Sequence, residues 1–202
     1  VSAGAADEPA FDLPATLPSL VIAKGTAWAR IHRATLDALW FGPAQGHPPS
    51  GRFDAPDGAY RICYLGRTVE ACFAEVFLRN PPVRILGLAD LHARHATPIV
   101  TRRDLTVVPV LGPALAKLGV TAELTSSGTY DEPRAFARTV WGHTDQPDGI
   151  AYLSRHDNSL ECLALFDRAA KAVRVAGPGT PLDADRTRLG QLLDRWGLGL
   201  DP

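Results

Sequence analysis

The chain has 202 residues, of which 46% are hydrophobic and 21% charged, and its formal net charge is −1. Folded as one domain, a chain of this length buries roughly 70% of the surface its unfolded form exposes, so a true core is available. No Lys/Arg run offers a basic stripe for nucleic acid, and no apolar run reaches the ~18 residues of a membrane helix.

Residues 1–20 are rich in Ala, Pro, Asp and Ser and read as a flexible N-terminal tail or a loosely docked arm, with one domain over 21–202. The opening residues lack a basic segment followed by an apolar one, so no secretory signal is expected there. "AWARIHR" (27–33) alternates like a strand, with Trp28, Arg30 and His32 on one face. Residues 34–59 are a Pro- and Gly-rich loop. "YRICYL" (60–65) is a second strand. A helix follows over Val69–Arg79, with Thr68 as its N-cap and Asn80-Pro81-Pro82 as its stop. Strands are then expected at 83–90 and 105–110, and a short helix at 112–119. A longer helix covers Pro133–Trp141, and strands follow at 149–154, 162–166 and 172–176. The last helix spans Leu182–Trp196, where Leu189, Leu192, Leu193 and Trp196 repeat at helical spacing. Strands and helices mix without βαβ alternation, which predicts an α+β fold.

The familiar phosphate-loop, dinucleotide and nucleophile-elbow motifs are absent. "HARH" sets His92 and His95 three apart, but no third metal ligand is near, and a solvated loop is the expectation. Cys63, Cys72 and Cys162 are odd in number and sit in apolar stretches. They read as reduced core thiols of a cytoplasmic protein, although residue types alone also allow a Cys–His hydrolase. Glu75 is the awkward residue. It stands off the Val69, Cys72, Phe73, Val76, Phe77 stripe, among small and apolar neighbours. Either it pairs with Arg79 one turn on, or it faces a cleft. Arg52 in a glycine turn, Arg30 on a strand and Tyr64 near a strand end are residue types that suit an anionic ligand carrying a flat ring.

Four ordered blocks, "WARIHR", "GRFD", "YRICYLGRTVEACFAEVF" and "DGIAYLSRHDNSLECLALFDR", together resemble the RES-domain family over about Trp28–Arg168. The resemblance implies a compact fold similar to the diphtheria-toxin-like ADP-ribosyltransferases. It also implies the toxin of a toxin–antitoxin pair that degrades NAD+ by hydrolysis or phosphorolysis. NAD+ is then a substrate, with inorganic phosphate as the co-substrate of the phosphorolytic route, and neither a resident cofactor nor a metal is implied. The implied partner is an Xre-like helix-turn-helix antitoxin that plugs the active site, and the toxin–antitoxin complex leaves room for a homo-oligomer. Carried over by motif, Arg52, Glu75 and Ser154 are the catalytic set, and Arg30 and Tyr64 bind substrate. A further functional serine of the family falls at Asp131 here, with Ser126 and Ser127 a few residues upstream. Two alternatives stand beside this reading: ADP-ribose transfer to a macromolecule, and a non-catalytic module that only binds a partner.

Overall fold

The structure, a computed structural model, describes residues 11–44, 46–80 and 82–201. In chain order the first half comprises β1 (Leu20–Ile22), β2 (Ala27–Arg33), β3 (Ile62–Gly66), α1 (Val69–Phe77), β4 (Ile85–Gly87), α2 (Leu88–His92) and β5 (Arg94–Thr101). The second half begins with β6 (Leu105–Val110), α3 (Ala114–Lys117), α4 (Glu123–Ser126) and α5 (Asp131–Gly142). It ends with β7 (Gly149–Ser154), β8 (Asp157–Phe166), a 3₁₀ segment (Asp167–Ala172), β9 (Val173–Val175), β10 (Thr180–Pro181), α6 (Arg186–Trp196) and β11 (Gly199–Asp201). The fold is α+β, as the order of the expected strands and helices predicts.

One large sheet runs β1-β6-β7-β8-β3-β2-β5-β10, with β9 also on β5. Its pairs are antiparallel except β6–β7. A separate parallel pair joins β4 to β11. Apolar residues cover both faces of the sheet. On one face lie Phe73, Phe77, Phe136, Leu189 and Phe166; on the other lie Trp28, Cys63, Leu65, Ile99 and Leu163.

Helix α1 is held between the sheet and α6. Thr68 caps it by accepting from Ala71 N. On the sheet side it sits so close that a Cβ on Gly66 would lie 2.8 Å from Cys72 N, so only glycine fits beneath the helix. On the other side Phe73 stacks on Trp196 at 5.4 Å. Helix α6 starts at Arg186 behind the Asp185 cap, four residues later than expected, because the buried Leu182 belongs to the turn that precedes it. It ends at Gly197, whose φ of 60° is the left-handed cap that glycine adopts without strain.

Two expectations change and a third is narrowed. The strand expected at 83–90 is only β4, after which the chain winds into α2 to bury Leu91 while leaving Ile85 and Leu88 exposed. The "HARH" loop is in fact the end of α2 and the start of β5. Pro98 in β5 hides that strand, yet pairing with β2 on one side and Ala176 N→Pro98 O on the other overrides the proline signal. Of the segment through residue 20, read as a flexible tail or a loosely docked arm, residues 11–19 are docked. Phe11 meets Phe136 edge-on, Leu17 is buried, and Leu17 N donates to Asp145 at 2.8 Å. Residues 1–10 lie outside the described residues.

Candidate active site

Strands β2 and β3 pair at Ala29↔Gly66 alone and then part. Beyond that point the edge of β3 is taken by the 34–44 loop, where Gly42 and Ile62 exchange backbone hydrogen bonds at 3.0 and 2.9 Å. The parting leaves a cavity of about 200 Å³, bounded by the Cys72, Glu75 and Val76 face of α1, the 50–54 turn and the end of β7. Arg30, Arg52, Tyr64 and Glu75, four of the five residues singled out in the sequence, line it.

Glu75 does not pair with Arg79. The Arg79 Nε donates to the Glu75 main-chain oxygen at 3.0 Å, which is a helix-surface contact and leaves the carboxylate free to turn inward. There Oε1 accepts from Ser154 Oγ at 2.7 Å and Oε2 accepts from Tyr152 Oη at 3.4 Å. The carboxylate forms no ion pair among the described residues. Burial, and then the nearby Glu75 charge, push the Tyr152 phenol well above its ordinary value, so it stays a donor. Ser154 is 1% exposed and lies behind Glu75 rather than on the cavity wall. Its hydroxyl also accepts from His156 N at 3.2 Å. The serine hydroxyl therefore holds the Glu75 carboxylate in this orientation.

Arg52 is presented by a turn built around Asp54. One Asp54 oxygen accepts from Ser50 N and Gly51 N at 2.9 and 2.6 Å. The other accepts from Tyr64 Oη at 2.9 Å, and that hydroxyl accepts in turn from Phe53 N at 2.9 Å. A Cβ on Gly51 would lie 2.4 Å from Tyr64 Oη, so the turn closes only over glycine. Arg134 fastens the outside, donating to Gly51 O and Pro49 O. The Tyr64 hydroxyl is thus the pin of this turn, while Tyr64 also lines the cavity. Burial draws the Arg52 guanidinium below its ordinary value. Arg52 lies 4.8 Å over the Tyr130 ring and donates to Ser127 O at 2.9 Å.

Arg30 reaches the cavity from the opened edge of β2, with Nη1 donating to Ala38 O at 2.7 Å. Sequence reasoning gave no site role to Arg155 and His156 and read Arg79 only as a surface partner of Glu75, yet all three line the cavity, as do Trp40, Tyr130 and Tyr152. Arg155 donates to Ser127 O and Arg79 O at 3.2 and 3.1 Å, so it ties the α4–α5 connection to the end of α1. Each guanidinium has five donors, so these contacts leave others for a ligand. Burial lowers the His156 pKa from 6.5, which keeps that ring neutral at pH 7. Two carboxylates and four arginines line the cavity; Asp54 is taken up by its turn, which leaves Glu75 as the acid facing the arginines, an arrangement suited to a ligand that is anionic in one part and becomes cationic in another.

Rival chemistries fare poorly. All three cysteines are buried, and burial pushes the Cys63 and Cys72 thiols up to about 11 and about 12 and Cys162 higher still. A thiolate nucleophile is therefore not formed near neutral pH. His92 pairs with Asp183 at 2.7 Å, and among the described residues no group of three or more His, Cys, Asp or Glu is placed to hold a metal. Asp131 begins α5 without lining the cavity, whereas Ser127 meets the site through its carbonyl.

The RES domain family matches residues 27–185, and the chain belongs to that family. A relative described as probable toxin y4kH, from Sinorhizobium fredii (strain NBRC 101917 / NGR234), is 26% identical over 113 residues, covering 56% of this chain and 87% of that protein. A chain of the M. tuberculosis MbcT–MbcA toxin–antitoxin complex shares the fold with a TM-score of 0.62 at 17% identity, over 86% of this chain and 92% of its own. Among the described residues no helix is long and apolar enough to cross a membrane.

Proposed function

We propose that this protein is the toxin of a toxin–antitoxin pair and cleaves the nicotinamide N-glycosidic bond of NAD+. The observation that carries the reading is Glu75, a carboxylate turned into an arginine-ringed cavity and held there by Ser154 and Tyr152 without an arginine partner. Breaking the C1′–N1 bond leaves the electron pair on the pyridine nitrogen, so nicotinamide departs neutral and needs no general acid. The ribose becomes oxocarbenium-like, and Glu75 stabilises that cation electrostatically. Ser154 and Tyr152 fix the orientation of the acid and leave its charge in place. Arg52 and Arg30, with Arg79 and Arg155 at the same wall, hold the pyrophosphate. Water attacking C1′ gives ADP-ribose and a proton; phosphate attacking there gives ADP-ribose 1″-phosphate.

The toxin relatives support an antitoxin partner, and an Xre-like helix-turn-helix antitoxin that fills this cavity is the form proposed. The fold and family also support the likeness to ADP-ribosyltransferases. Nicotinamide release from NAD+ by the purified protein, with and without phosphate, tests the activity. Chromatography of the second product identifies the nucleophile. Absence of nicotinamide release under both conditions overturns the reading.

A further inference from the structure

The segment Ala38-Leu39-Trp40-Phe41 behaves unevenly. Ala38, Leu39 and Phe41 pack against the apolar cluster on the Trp28 face of the sheet. Trp40 joins neither core, remains 37% exposed, and lines the cavity. Its six-membered ring rests on Gly42, where a Cβ would fall 1.9 Å from the ring carbons. Gly42 is in turn fixed by its backbone pairing with Ile62. The largest aromatic side chain is thus anchored from below on a rigid edge and left open above, which is how a stacking platform is built.

Its place in the sheet says which ring it serves. Tyr152, which donates to Glu75, pairs with Cys162, and Cys162 pairs with Gly66 on β3. Gly42 lies beyond the opposite edge of β3, beside Ile62, which pairs with Phe166. That is three strand spacings across, about 14 Å, and four residues along, about 13 Å. Trp40 therefore stands on the Gly42 side of the cleft, across from the Tyr152 side where Glu75 is held, with Arg30 and Arg52 also lining the cavity. We infer that Trp40 is the platform on which the adenine ring of the dinucleotide stacks, which makes it a specificity-determining residue. This rests on the NAD+-cleaving reading, but it makes a separate claim about binding.

The test compares wild type, Trp40→Ala and Trp40→Phe by calorimetric titration with ADP-ribose and by steady-state nicotinamide release from NAD+. Stacking of one base predicts roughly tenfold weaker ADP-ribose binding in Trp40→Ala and near recovery in Trp40→Phe. The KM for NAD+ rises by a similar factor, with the loss in KM rather than kcat. Because the indole is not part of either core, the alanine variant is expected to fold, and the phenylalanine variant guards against a local collapse of the 34–44 loop. Equal ADP-ribose affinity in wild type and Trp40→Ala overturns the inference, as does absence of ADP-ribose binding by wild type. A fall in kcat at unchanged KM would put Trp40 at the reacting end and also overturn it. Trp40-dependent ADP-ribose binding without nicotinamide release would refute the catalytic reading and leave the adenine platform standing.

Discussion

Glu75 sits on a helix that is buried on both sides, and its carboxylate is oriented by two hydroxyl donors. Replacing it with Gln preserves shape and helix propensity, and Ser154 and Tyr152 can still bond the amide. Glu75→Gln is expected to unfold at nearly the wild-type temperature while nicotinamide release falls by roughly 10²-fold or more. Normal turnover in that folded variant would remove Glu75 from the mechanism. Ser154→Ala probes a different role. It leaves the charge but frees one oxygen, so the loss should be smaller than for Glu75→Gln and should fall mainly on kcat. Arg52→Lys loses the two-armed fork that meets Ser127 and Leu124 carbonyls, and an ammonium cannot replace it. Its expected signature is a raised KM for NAD+.

At the scale of elements, the 50–54 turn is set by one buried carboxylate serving three donors. Asp54→Asn keeps the size but supplies one acceptor oxygen where two are used. One hydrogen bond to a charged group is lost, at about 1.5–3 kcal/mol. Turnover should drop through looser placement of Arg52, although Asp54 itself does not contact the reacting bond. Urea unfolding and NAD+ titration of one sample separate the two effects. In α1 the cap is a simpler device: Thr68→Ala should cost about 1 kcal/mol, read from the denaturant midpoint. The Thr68 cap and the leucine spacing of α6 were legible in the sequence, because they depend on residues within a turn or two. Strand β5 was not, since its pairing on both edges comes from segments far away in the chain.

For the whole molecule, stability should depend on pH through His32 and His156. Burial lowers both from 6.5. A histidine kept neutral by folding takes up protons more readily when unfolded. Its contribution is therefore complete above about 6.5 and is lost as pH falls through the depressed folded value. Urea midpoints measured between pH 8 and pH 5.5 should decline, and the His32→Gln, His156→Gln double variant should flatten that decline. A flat wild-type profile would contradict it. The docked segment 11–19 is also part of the global fold. Deleting residues 1–19 removes the Phe11 and Leu17 contacts and should lower Tm by several degrees.

The sequence by itself determined the α+β class, the family blocks, the presence and approximate place of the main helices, and the oddity of an acid among small apolar residues. Those features are local: capping, periodicity and short motifs are written in consecutive residues. Only the tertiary structure decided that Glu75 turns from Arg79 toward Ser154, and that Ser154 stands behind the acid. Nothing short of it could assign Asp54 and Tyr64 to hold the Arg52 turn. Trp40 and Arg155 likewise entered the site only when β2 and β3 parted and the 34–44 loop took the vacant edge. Each of these depends on where strands distant in sequence pair and where they stop pairing, and no stretch of neighbouring residues encodes that alone.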